Sequence, residues 1–246
     1  MCTVTYISCG NQVFITSNRD ENRSRGQALM PQLYALENGA RLLFPKDPDA
    51  GGSWIALKSN NDAAVLLNGA FVAYQHTPLY CRSRGLVLID IISAMHALHS
   101  FHGADLDAVA PFTLILFLSG RLYECRWSGS EKFCTELNAK DAHIWSSVTL
   151  YDAAATAMRE QWFRDFLEAH PFPCQQQILH FHRCGGVGNA GIDLCMNRNG
   201  ETKTVSITSL LLSSLGASLT YLDLERKTKH TESFIHAAQT EAAYVQ

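Results

Sequence analysis

Two runs at the start of the chain restrict its fold more than any other feature. Thr3–Ser8 and Gln12–Ser17 are dense in β-branched and aromatic residues, and Gly10-Asn11 between them supplies a turn, so the chain opens as a β-hairpin. The same pattern recurs. Gln32–Leu36 and Arg41–Phe44 flank Glu37-Asn38-Gly39-Ala40, and Ser53–Lys58 and Ala63–Leu67 flank Ser59-Asn60-Asn61-Asp62. The run Ala63-Ala64-Val65-Leu66-Leu67 is apolar throughout, the pattern of a strand buried on both faces, and it ends at Asn68-Gly69. Strand character returns at Phe112–Leu118, Gly120–Trp127, Ala142–Trp145, Leu194–Met196, Thr202–Leu212 and Leu219–Leu224. Many adjacent hairpins favour antiparallel sheets, so the fold class is α+β rather than βαβ.

Helices are fewer. Ser83 is a plausible N-cap for a helical stretch over Leu86–Leu98. Asp152 caps another that runs through Leu167, with Ala155, Met158, Trp162, Phe163 and Phe166 near one face. The polar tail after Lys227 reads as a short helix. Asn18–Gln27, Pro45–Gly52 and Val72–Arg84 read as loops. So does glycine-rich Cys184–Gly191, which lacks the flanking strand, helix and Lys-Ser/Thr signature of a phosphate cradle. With no repeat, low-complexity segment or linker, residues 1–246 read as one domain.

The 246 residues are 47% hydrophobic and 17% charged, enough for a large core. A formal net charge of -3 carries no basic excess for nucleic acid. The longest apolar run, Leu86–Leu98, is interrupted by Asp90, Ser93 and His96 and is too short to span a membrane. The start lacks a basic region followed by an apolar one, so a cytoplasmic location is expected. Eight cysteines show no C-x-x-C pair, which points to reduced thiols. His180, His182 and Cys184 alternate and on a strand would share one face, but spacing shows no fourth ligand. No metal or cofactor is expected.

The chemistry concentrates near the start. If Met1 is removed, Cys2 carries a thiol (pKa about 8.5) and a free α-amine (about 7.7–8.0), a nucleophile and its own base on one residue. Arg19 and Asp20 follow the second strand, and Asn68 ends a buried one. Each also has a structural reading: Cys2 as a small residue opening a strand, Arg19-Asp20 as a surface ion pair, Asn68-Gly69 as a turn, Trp54 as core. His76, Arg82 and Arg84 either line a mouth for an anionic substrate or are simply solvated.

Several motifs resemble the NRDE-motif family, also called the Transport and Golgi organisation 2 family. They are Cys2-Thr3-Val4-Thr5, Thr16-Ser17-Asn18-Arg19-Asp20-Glu21, Gly51-Gly52-Ser53-Trp54-Ile55 and Leu66-Leu67-Asn68-Gly69-Ala70-Phe71. Ser83-Arg84-Gly85, Trp145–Tyr151 and Thr204–Thr208 continue the likeness across nearly the whole chain. That family in turn resembles the cysteine N-terminal nucleophile hydrolases, the group of penicillin V acylases and bile salt hydrolases. The resemblance implies a four-layer αββα sandwich and cleavage of a small linear amide through a thioester at Cys2, without a cofactor. It implies that Arg19 and Asp20 hold the thiol and the amine. The spacing departs from the acylase pattern by about a residue, which leaves Glu21 or Asn18 as alternatives. Asn68 falls at an oxyanion-hole position. Ser147 stands where that group has a second Asn, and the late-strand arginine of the acylases has no match in Thr204–Thr208. The resemblance carries an alternative too: a non-catalytic carrier of haem or of a lipid or acyl-CoA ligand.

Overall fold

The computed structural model describes residues 3–74 and 80–235. The opening hairpin pairs β1 (Thr3–Cys9) with β2 (Gln12–Asn22) through a turn in which Gly10 has a φ of +58°. The chain then builds a meander of seven strands in sequence order: β3 (Leu29–Ala35), β4 (Arg41–Lys46), β5 (Ile55–Lys58), β6 (Ala63–Asn68), β7 (Phe112–Leu118), β8 (Arg121–Trp127) and β9 (Lys132–Leu137). Helices α1 (Arg84–Ser93) and α2 (Ala97–Gly103) interrupt it between β6 and β7. β10 (His143–Ser146) returns to pair with β1. After α3 (Ala153–Ala169) and α4 (Gln175–Cys184), the chain adds β11 (Asn197–Arg198), β12 (Thr202–Ser213), β13 (Gly216–Asp223) and β14 (Thr228–Ile235). The first sheet therefore has the order β10-β1-β2-β12-β13-β14, with β11 on β12.

Alternation along the strands sorts the side chains into layers. Val4, Tyr6 and Ile15 meet Ile55, Val65 and Leu67 between the sheets. Ile7 and Phe14 face outward against Phe163 of α3 and Ile178 and Phe181 of α4. On the other side, Ala64 and Leu66 face outward against Val87, Leu88 and Ile91 of α1. The apolar run in β6 thus divides between two cores, as its lack of alternation predicts, and the layers stack as αββα.

Five readings of the sequence need correction. β2 continues through Asn22, so Arg19 and Asp20 lie in a strand and not in an exit loop, and each is only 3% exposed. The stretch Leu86–Leu98 is two helices, broken where Ala94 turns extended and its carbonyl accepts from Lys58 Nζ at 2.7 Å. Leu194–Met196 forms no strand; turns and bends carry it. The residues after Lys227 are a strand over Thr228–Ile235, polar because it is an edge. Finally, His180, His182 and Cys184 lie on helix α4, where a spacing of two turns side chains to opposite sides. His182 is fully buried and His180 exposed. Among the described residues no group of three His, Cys, Asp or Glu side chains is placed to hold a metal.

Candidate active site

The candidate site lies at the end of β2. There Thr3 pairs with Asn18 on one side and Ser146 on the other. Opposite Arg19 and Asp20, the β2–β12 pairing shifts by one residue between Thr204 and Ser206, a bulge at Val205. Such a bulge re-aims side chains locally. Alternation sends Arg19 between the sheets and Asn18 and Asp20 toward the helices.

Between the sheets, Arg19 Nη2 lies 3.1 Å from Asp47 and 3.3 Å from Glu21, and its guanidinium stacks 4.6 Å from the Trp54 ring. Asp47 also takes Arg25 at 2.9 Å and the backbone N–H groups of Asp49 and Ala50. Burial pushes the Asp47 carboxyl up, but the Ala50 N–H, Arg25 and Arg19 outweigh it and hold it below the usual carboxylate range. Arg19, Glu21, Trp54, Asn68, Arg82 and Arg84 all line one cavity of about 330 Å³.

Two motifs meet to shape its wall. The Ser53 N–H donates to the Gly85 carbonyl at 3.2 Å, and a Cβ on Gly52 would lie 2.3 Å from the Gly85 carbonyl carbon. Only a pair of glycines lets these backbones touch. The contact sets Trp54 and Arg84 on the same cavity. Asn68 is fixed from the other side: Ser147 Oγ donates to its backbone carbonyl at 2.8 Å. Ser147 is buried, and in this arrangement its one proton is given to that carbonyl. The next residue, Gly69, has a φ of +80°, which turns the chain away from Asn68.

On the helix side, Asp20 accepts from Thr204 Oγ1 at 2.5 Å and from the Tyr151 hydroxyl at 3.1 Å. The Arg159 guanidinium lies 3.4 Å from the centre of the Tyr151 ring. Fully buried, Arg159 donates to the carbonyls of Ile192 (2.9 Å) and Asp193 (2.7 Å) and to Thr3 Oγ1. Asn18 donates to the carbonyls of Leu194 and His182, and its own Oδ1 faces His182 Nδ1 at 2.7 Å. Since that oxygen can only accept, the His182 proton sits on Nδ1, and Nε2 accepts from Thr5 Oγ1 at 2.7 Å. Burial first, and then Arg159, pushes the His182 pKa down to about 3.

Of the residues read from the sequence, Arg19, Asn68, Arg82 and Arg84 come to one cavity, and Ser147 supports Asn68. Asp20 lies on the opposite face of the same strand. It does not pair with Arg19, so the reading of a surface ion pair is overturned. Glu21 joins Arg19 at the cavity, whereas Asn18 is committed to the His182 network. Cys2 and His76 lie outside the described residues. Sequence reasoning missed Asp47 and Arg159, and the parts that Tyr151, His182 and Thr204 play here. Arg159 left one trace, the i, i+4 row Ala155, Arg159, Phe163 that α3 buries.

Two facing antiparallel sheets between helix pairs, with the first strand inside one sheet and a polar cavity at its end, are the fold of the N-terminal nucleophile hydrolases. Solved structures share it. A Caenorhabditis elegans N-acylethanolamine-hydrolyzing acid amidase ortholog matches with a TM-score of 0.60 and 12% identity, over 85% of this chain and 92% of that one. A mutant of the conjugated bile acid hydrolase from Clostridium perfringens matches with a TM-score of 0.54 and 7% identity, over 96% and 97%. A second variant of the same hydrolase gives 0.55 and 8%, over 100% of both chains. The chain belongs to the Transport and Golgi organisation 2 family, whose pattern residues 1–184 match. No curated protein matches the sequence.

Proposed function

We propose that the protein hydrolyses a small linear amide, with Cys2 as nucleophile once Met1 has been removed. The observation that carries this reading is the convergence of Arg19, Trp54 and Asn68 on one cavity beside the start of β1. Covalent geometry keeps the α-carbon of Cys2 within about 3.8 Å of that of Thr3. The solved proteins that share the fold are named for hydrolysing N-acylethanolamines and conjugated bile acids, which are amides. In the proposed reaction the Cys2 thiolate attacks the amide carbonyl, and the α-amine takes the thiol proton and passes it to the leaving nitrogen. The resulting thioester is cleaved by water. Arg19 favours the thiolate, Asp20 receives the α-ammonium, and the Asn68 amide donates to the oxyanion while Ser147 holds its backbone.

Intact mass and activity on a panel of acylated amines test this. Active protein should lack Met1, Cys2→Ala should be inactive, and Asn68→Ala should lose about 10²–10³-fold in kcat. Met1 retained in active protein, or full activity in Cys2→Ala, overturns it.

The carrier reading has one observation in its favour. A groove of about 420 Å³ between α3 and α4 is lined by Phe166, His170, His180 and Phe181, away from the charged cavity. Spectral titration with haem, and titration with an acyl-CoA, separates the two readings. A carrier binds stoichiometrically without turnover, and binding that survives Cys2→Ala but is lost in His180→Ala with His170→Ala places it in this groove.

A further inference from the structure

Two cysteines face each other at the far edge of the β3–β9 sheet, and the turn between β8 and β9 sets them there. Ser128 Oγ accepts from the backbone N–H groups of Ser130 (3.2 Å) and Glu131 (2.9 Å). The Ser128 N–H donates to the Glu131 carbonyl at 3.0 Å, and Gly129 takes a φ of +105°. That closure puts Trp127 opposite Lys132, Arg126 opposite Phe133 and Cys125 opposite Cys134. The two sulfurs lie 3.2 Å apart, against about 2.0 Å in a disulfide. Directly opposed residues of an antiparallel pair have α-carbons about 4.5 or 5.5 Å apart, and both values fall in the range of about 4.4–6.8 Å that a disulfide spans. The backbone is already at bonding separation.

The two thiols differ in access. β9 is the last strand of its sheet, and Cys134 is part-exposed there. Cys125 is fully buried under α1 and α2, where burial and the bond to Cys134 hold its thiol well above the ordinary pKa. The next rung of the same hairpin reaches the chain that leaves Asn68. Arg126 donates to the Ala70 carbonyl and stacks 4.9 Å from the Phe71 ring, and Phe133 meets that ring edge-on with the two centres 5.0 Å apart. The hairpin that carries the dithiol therefore also holds Ala70 and Phe71.

We propose that Cys125 and Cys134 are a redox-modification site, oxidised by a peroxide to a reversible disulfide that staples β9 to β8. The proposal is independent of amide hydrolysis. In the first step the Cys134 thiolate attacks one oxygen of hydrogen peroxide. An S–O bond forms, the O–O bond breaks, and the leaving hydroxide takes up the proton that the thiol gave to solvent. Cys134 is then a sulfenic acid. In the second step the Cys125 sulfur attacks the Cys134 sulfur. The S–S bond forms, the S–O bond breaks, and the hydroxide leaves as water with the Cys125 thiol proton. Two thiols are thus oxidised to one disulfide, and the peroxide is reduced to two waters. Contact at 3.2 Å within one hairpin offsets the low thiolate fraction of Cys125. Exchange with a dithiol reductant opens the bond again.

The test treats full-length reduced protein with hydrogen peroxide under native conditions, blocks the remaining thiols with iodoacetamide in urea, and maps peptides without reduction. A peptide linked through Cys125 and Cys134 should appear, and dithiothreitol should remove it. Dimedone, which traps sulfenic acid, should label Cys134 several-fold more in Cys125→Ala than in the wild type. Amide hydrogen exchange along β9 should be several-fold slower in the oxidised protein than in the reduced one. Cys125 still free after the exposed Cys81, Cys174 and Cys184 have been oxidised overturns the proposal. So does linkage of Cys125 to another cysteine, or equal dimedone labelling of the two proteins. Unchanged exchange in β9 overturns the staple. The wild-type peptide map decides by itself if Cys125→Ala folds poorly.

Discussion

Protonating His182 would place a cation in a pocket that already contains the buried Arg159 and offers no carboxylate to either ring nitrogen. The fold therefore keeps the ring neutral down to about pH 3, whereas in the unfolded chain it titrates near 6.5. Between those values the unfolded chain binds a proton that the folded one refuses. Its contribution to stability is complete above about pH 6.5 and is lost as the pH falls toward 3. Lowering the pH from 7.5 to 5 should cost about 2 kcal/mol through this residue alone. Urea unfolding at both pH values checks it. His182→Gln, which can still pair with Asn18, should show a pH loss smaller than wild type by about that amount. Equal losses in the two proteins would mean that the ring is not held neutral.

At the scale of elements, the contact between the loop before β5 and the start of α1 aligns the cavity wall, and it depends on two glycines. A methyl on Gly52 would sit 2.3 Å from Gly85 backbone carbon and 2.4 Å from the Leu86 nitrogen, atoms that no rotamer change can move. Gly52→Ala should lower Tm and the yield of folded protein sharply. Gly103→Ala, whose Cβ would meet nothing within 4 Å, should leave both unchanged. Similar losses in the two variants would deny the contact its role. Both motifs stood out in the sequence as Gly51-Gly52-Ser53-Trp54 and Ser83-Arg84-Gly85, but their meeting was not legible, because thirty residues and two strands separate them. The meander up to β8 was legible, since turn residues and apolar runs are local signals. Charge hid the end of β2: Arg19 and Asp20 look like loop residues until Asp47, Thr204 and Tyr151 are placed around them. β14 was hidden by its edge position, which lets a strand be polar. His182 and Arg159 were hidden for a related reason, because burial of a polar group depends on partners distant in sequence.

Across the whole molecule, the exposed thiols among the described residues lie on the outer helices and loops. Cys81, Cys174 and Cys184 are exposed, whereas Cys125 is fully buried in the core under α1 and α2. Burial, reinforced by the hydrogen bond to Cys134, pushes the Cys125 thiol well above its ordinary pKa, so it forms little thiolate. Iodoacetamide at pH 7.5 should therefore modify Cys81, Cys174 and Cys184 in native protein and spare Cys125 until urea unfolds the chain, with peptide mass spectrometry as the readout. Rapid native labelling of Cys125 would contradict the packing of the β8–β9 edge. The same time course bears on the proposed nucleophile. A Cys2 thiolate favoured by Arg19 should react before the exposed cysteines, because among accessible thiols the thiolate fraction sets the rate. The fraction of Cys2 alkylated at each time point should then equal the fraction of amidase activity lost. Activity that instead tracks Cys81, which lines the same cavity, would move the reacting thiol from the chain start to the cavity mouth.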